Sequence, residues 1–96
     1  MTDGSLASAV RDNPARNRFE LDLGDGFAFA DYRRTPGTVT VLHTEVPPSH
    51  QGQGIAAQLV TGMLGLIRQR GEKVVSRCSY LTAFLKRHPE YGDLVA

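Results

Sequence analysis

From Arg18 onward the chain alternates: Phe19, Leu21 and Leu23 are separated by polar residues, and after Gly24-Asp25-Gly26 the same period of two resumes with Phe27, Phe29 and Asp31. Two alternating runs around a glycine-rich turn predict a β-hairpin. A second turn, Arg33-Arg34-Thr35-Pro36-Gly37, leads into Thr38 to Val46, a run rich in β-branched residues that reads as a third strand. Pro47-Pro48 ends it, because proline has no N–H to give to a ladder. The period then changes. Ile55, Leu59, Met63, Leu66 and Ile67 recur at spacings of three and four, which predicts a helix from about Gly54 to Arg70, closed by Gly71. Lys73 to Ser76 reads as a short buried strand. Ser79 to Arg87 carries Leu81, Phe84 and Leu85 at helical spacing before Pro89 stops it. The expected fold is therefore α/β in the α+β sense, ordered β-β-β-α-β-α. It is an antiparallel three-stranded meander, then a β-α-β crossover, then a C-terminal helix. A right-handed crossover places the last strand parallel to the third.

Residues 1–17 show neither period and no apolar h-region, so they are expected to form a flexible N-terminal tail on a single domain spanning 18–96. A chain of 96 residues encloses one core. With 41% hydrophobic and 22% charged residues it has the composition of an ordinary globular protein, and no apolar run approaches the ~20 residues that cross a bilayer. Cys78 is the single cysteine, which fits a reducing compartment; the expected location is the cytoplasm. The net charge is +1, and 11 Lys and Arg are interspersed with 10 Asp and Glu, so the basic stripe of a duplex-binding protein is missing. The expected assembly is a monomer or weak homodimer, with neither nucleic acid nor membrane as a partner. Small basic clusters, Lys86-Arg87 among them, are either solvated helix ends or cations able to meet a nucleotide phosphate.

Candidate chemistry concentrates between the third strand and the long helix, at Gln51-Gly52-Gln53-Gly54-Ile55-Ala56. Two glycines two apart let the backbone bend sharply and approach a ligand. The helix start behind them offers unpaired N–H groups and the positive end of the helix dipole, a setting that favours an anion. By spacing alone the segment is equally a tight turn with no ligand. It lacks the Lys-Ser/Thr of a Walker A loop and the third glycine of a dinucleotide fingerprint.

The segment resembles the acyl-CoA motif of the GNAT superfamily of N-acetyltransferases, which reads Gln or Arg, two residues, Gly, one residue, Gly or Ala; Gln51, Gly54 and Ala56 match it. The chain is similar in particular to very small GNAT-like proteins that lack the usual N-terminal helices. That similarity rests on Val41-Leu42-His43-Thr44-Glu45-Val46-Pro47, Gly52-Gln53-Gly54-Ile55-Ala56, Cys78-Ser79-Tyr80 and Leu85-Lys86-Arg87-His88-Pro89-Glu90-Tyr91. The resemblance implies that acetyl-CoA is the co-substrate and that an amine, unidentified, is the acceptor. It implies that the third strand splays from the last, with His43, Thr44, Glu45 and Val46 along the pantetheine arm. The coenzyme-binding set expected is Thr44, Val46, Gln51, Gly52, Gln53, Gly54, Ile55, Ala56, Lys86 and Arg87.

Acyl transfer to an amine needs a proton acceptor for the amine and a proton for the departing thiolate. His43 and Glu45 lie two apart on a strand and share a face unless a bulge intervenes; they are candidate acceptors, or else a structural network and a strand-end charge. Cys78 opens a helix, where the dipole favours thiolate; it is either a small core residue or, as the resemblance implies, a group beside the acetyl thioester. Tyr80 offers a phenol for the leaving thiolate or a packing ring. Ordinary GNAT enzymes carry a Tyr general acid where this chain has Leu85, which has no proton to give. The candidate catalytic residues are thus Cys78, His43, Glu45 and Tyr80. No metal site is expected, because Cys78, His43, His50 and His88 lack paired ligand spacing. The leading reading is an acetyl-CoA-dependent N-acetyltransferase. The alternatives are a non-catalytic acyl-CoA-binding or sensing module and a structural domain.

Overall fold

The computed structural model describes residues 6–96. Five strands form one sheet in chain order: β1 (Arg11–Asn13), β2 (Arg18–Asp22), β3 (Phe27–Thr35), β4 (Thr38–Glu45) and β5 (Lys73–Ser76). Neighbours from β1 to β4 are antiparallel, and β4 and β5 are parallel. The parallel pair is joined by helix α1 (Ile55–Gln69), and helix α2 (Ser79–Arg87) follows β5. This is the expected meander and crossover with one strand added at the N-terminal edge.

The core lies where α1 covers the sheet. Ile55, Leu59, Val60, Met63, Leu64 and Ile67 of the helix are buried, as are Phe19, Leu21, Ala28, Ala30, Tyr32, Val39, Val41 and Val74 of the strands. The apolar stripe of α1 is wider than the five residues read from the sequence, since it must cover strands β2 to β5. Small Ala28 and Ala30 on the central strand let the helix sit close to it. No helix among the described residues is long and apolar enough to cross a membrane.

The expectation of a flexible tail over 1–17 is corrected for residues 6–17; residues 1–5 lie outside the described residues. A short 3-10 turn at Leu6–Ala9 packs on α1, and β1 pairs with β2 in the register Arg11↔Glu20 to Asn13↔Arg18. Val10 is 5% exposed. Ala7 N–H donates to Gln58 Oε1 at 3.1 Å. Asp12 accepts from the Tyr32 hydroxyl at 2.6 Å, from Arg34 at 3.1 Å and from Arg70. One apolar side chain and a set of polar anchors hold this segment, so it leaves no hydrophobic period to read. Burial pushes the Asp12 carboxyl up, but the hydrogen bonds from Tyr32, Arg70 and Arg34 outweigh it and hold the group below its usual value. Burial and the same carboxylate push the Tyr32 phenol up to about 12.

An irregularity in β4 decides which side chains meet. Tyr32 pairs with Val41, but the next residue back, Asp31, pairs with His43, which leaves Leu42 as an extra residue in the strand. A bulge of this kind reverses the phase of the strand beyond it. Before it, Val39 and Val41 face the core; after it, Thr44 lies opposite buried Ala30, while His43 and Glu45 lie opposite Asp31 and Phe29 on the other face. Without the bulge, His43 and Glu45 would continue the buried row of Val39 and Val41.

Candidate active site

Strands β4 and β5 pair only over Thr38–Val41 and Lys73–Ser76. The last contact in that direction is Arg77 N–H donating to Val41 C=O at 2.8 Å. Beyond Val41 the two strands part, because β5 ends and the chain turns into α2. Thr44, turned inward by the bulge, and Cys78, the residue just before α2, face each other across the opening with Oγ1 and Sγ 3.6 Å apart. Cys78 is a free thiol, 6% exposed. Its backbone is fixed: Ser76 Oγ–H donates to Cys78 C=O at 3.0 Å, and Thr82 N–H donates to the same carbonyl at 2.9 Å. Ser76 and Thr82 hydroxyls are themselves 2.8 Å apart.

Next to this opening the glycine turn closes off a cavity of about 250 Å³ lined by Val46, His50, Gln51, Gly52, Gly54, Ile55, Ala56, Ala57 and Tyr80. Gly52 and Gly54 sit at φ +81° and +75°, the left-handed region where a Cβ is costly. Gly54 is the N-cap of α1, and no side chain caps the helix or places an acid in its first turn. The first-turn N–H groups therefore border the cavity without a helical partner, and the dipole adds its positive end. Donors, dipole and absence of carboxylates in the first turn suit this cavity to a phosphate group. Gln51 ties the turn back to the residue that follows β4 by donating from Nε2 to Val46 C=O at 3.3 Å.

The site residues expected from the sequence thus fall into separate groups. Thr44 and Cys78 meet at the strand opening. Val46, Gln51, Gly52, Gly54, Ile55 and Ala56 line the turn cavity, and α2 brings Tyr80 to it. Gln53 points instead to His50, with Oε1 3.3 Å from Nδ1. His43 Nε2 and Glu45 Oε1 are 3.1 Å apart, both exposed, on the sheet face away from Thr44. Lys86 and Leu85 border a different cavity, of about 430 Å³, with Val74, Val75, Ser76, Thr82, Val95 and Ala96. Arg87 is exposed at the end of α2.

Two residues of the turn cavity, Ala57 and His50, escaped the sequence reading. His50 joins it through a 2.7 Å contact from Nε2 to Oδ1 of Asp25, which belongs to the β2–β3 turn. The hydrogen bond to Asp25 raises the imidazole above its ordinary value, and the same bond lowers the carboxyl of Asp25. Its place one residue before Gln51 was the only signal in the sequence; its partner, 25 residues away, was not visible there.

Residues 18–94 match the model of the GCN5-related N-acetyl-transferase family. The fold superposes with a TM-score of 0.70 on the NMR solution structure of a GCN5-like protein from Staphylococcus aureus, covering 97% of this chain and 90% of that one at 22% identity. At that identity the likeness speaks for the fold. The family match spans nearly the whole sheet and both helices, including the strand opening and the glycine turn, and on it this chain belongs to the GCN5-related N-acetyl-transferase family.

Proposed function

We propose that this protein is an acetyl-CoA-dependent N-acetyltransferase of the cytoplasm that moves an acetyl group to a primary amine on a protein or small molecule. The observation that carries the reading is the continuity of two features: the opening between β4 and β5, flanked by Thr44 and Cys78, and the phosphate-sized cavity of the glycine turn beside it. The turn amides from Gln53 to Ala56 hold the pyrophosphate. The unpaired edge of β4 beyond Val41 offers its N–H and C=O groups to the pantetheine amides, as a strand would. On this reading the thioester lies against Thr44 and Cys78, whose side chains touch at the mouth of the opening.

The amine reaches the acetyl carbon from the outer face of the sheet, where His43 and Glu45 are hydrogen-bonded to each other. This pair takes the proton the amine gives up as the nitrogen–carbon bond forms and the carbon–sulfur bond breaks. Cys78, at the opening, orients the donor, and the coenzyme leaves as a thiolate that takes its proton from water. Direct transfer suits the fold because donor and acceptor are held together, and proximity supplies much of the rate. Lys86 and Arg87 are assigned to the coenzyme's outer phosphate, beyond the turn.

A second reading, a module that binds acyl-CoA without turnover, is favoured by one feature. Leu85 replaces the usual general acid and borders another cavity, while the phenol of Tyr80 is at the turn. Calorimetry with acetyl-CoA followed by release of free thiol against a panel of amines tests both. Binding with turnover supports the transferase; binding without turnover supports the module; no binding removes both.

A further inference from the structure

The glycine turn carries an ionisable side chain to which family membership gives no role. His50 lines the same cavity as Gly52, Gly54 and the first residues of α1. Both of its ring nitrogens face oxygen: Nε2 is 2.7 Å from Asp25 Oδ1 and Nδ1 is 3.3 Å from Gln53 Oε1. A carboxylate only accepts, so Nε2 carries a proton; once Nδ1 is protonated as well, the ring is a cation with a second N–H on the cavity side. The two bonds are unequal. The short one is charge-assisted and fixes the ring plane; the long one goes to a neutral amide on a surface side chain and is easily exchanged for a stronger acceptor.

We propose that His50 is a cationic phosphate ligand of the glycine turn, oriented by Asp25 through Nε2 and handing its Nδ1–H from Gln53 to a phosphate oxygen when the coenzyme binds. The assignment rests on the coenzyme A reading above and names a contact within it. It gives the site a side-chain N–H donor, polarised by the carboxylate behind it, that the turn's amides lack. Around the ring, Asp25 from the β2–β3 turn is the carboxylate bonded to it, Gln51 and Gln53 are neutral, Tyr80 of α2 shares the cavity, and α1 has no acid in its first turn. A phosphate entering here meets one histidine whose charge is already neutralised on its far side by Asp25 and whose near side is open to the ligand.

The sign of the pH dependence follows. His50 is charged below its raised pKa, so coenzyme affinity is highest at low pH and falls as pH rises through that value. Calorimetry of the full chain with acetyl-CoA at about pH 6 and about pH 8.5 tests this, with wild type, His50→Gln and Asp25→Asn run side by side so that the ligand's own phosphate titration cancels. His50→Gln should bind about tenfold more weakly than wild type at the lower pH and about equally at the higher, the effect of one charge-assisted hydrogen bond. Asp25→Asn should move the wild-type midpoint to lower pH. The ring proton resonances of His50, followed by NMR, should titrate at higher pH with acetyl-CoA bound than without. Parallel pH profiles for wild type and His50→Gln, or an unmoved His50 titration, overturn this proposal while leaving the coenzyme reading intact. Absence of acetyl-CoA binding to the folded wild type overturns both.

Discussion

Replacing Gly54 by valine isolates what the turn contributes. Nothing lies within 4 Å of a Cβ built at this position, so the first side-chain carbon meets no crowding. The cost is in the backbone: φ is +75°, and an L-residue in the left-handed region is disfavoured by roughly 1–2 kcal/mol, with a β-branched one at the upper end. If the chain keeps the conformation, stability falls by that amount and the melting temperature by about 4–8 °C per kcal/mol for a domain of this size. If residue 54 relaxes to negative φ instead, the N-cap of α1 moves and the first-turn amides no longer converge on the cavity. Losing one or two hydrogen bonds to a charged phosphate is worth about 1.5–3 kcal/mol each, so acetyl-CoA affinity should fall at least tenfold. Thermal unfolding and calorimetry with acetyl-CoA separate the two outcomes. A folded Gly54→Val protein that binds acetyl-CoA as tightly as wild type would refute the assignment of the phosphate to this turn.

Two glycines of α1 should respond in opposite directions. A Cβ at Gly62 would lie 2.3 Å from the Ala7 carbonyl oxygen and 2.5 Å from Val10, so Gly62→Ala should lower the melting temperature by displacing the N-terminal segment, whereas Gly65→Ala, with nothing within 4 Å, should stabilise by about 0.5–1 kcal/mol. Asp12 has a folded-state pKa below its unfolded value, so its contribution to stability is present above the ordinary carboxylate pKa and is lost as pH falls through the folded value; chemical denaturation of Asp12→Asn should show a weaker acid dependence than wild type, and an unchanged one would dismiss the network. For Cys78, incubation with acetyl-CoA alone should leave the thiol unmodified by mass, and Cys78→Ser should keep much of its transfer rate; an acetylated, hydroxylamine-labile thiol together with a dead serine variant would instead make Cys78 the acyl carrier.

What the sequence determined by itself was whatever depends on short-range periodicity and turn chemistry. The alternation from Phe19 to Phe29, the proline stop at Pro47-Pro48, the helical stripe from Ile55 to Ile67 and the glycines at Gly52 and Gly54 each act within a few residues, and the meander, crossover and turn followed from them. Contacts across the fold left no such trace. Residues 6–17 carry one core side chain, Val10, and are held by the polar anchors Asp12 to Tyr32 and Ala7 to Gln58, so a segment that reads as a tail becomes an edge strand. The extra residue at Leu42 is invisible in a run of strand-formers, yet it turns Thr44 toward Cys78 and sends His43 and Glu45 to the opposite face. Asp25 and His50 met because a hairpin turn and a helix-start turn lie side by side only in the assembled sheet. The chemistry-bearing residues were legible one by one; their grouping was not, because the bulge and the parting of β4 from β5 are properties of strand pairing, which tertiary structure alone sets.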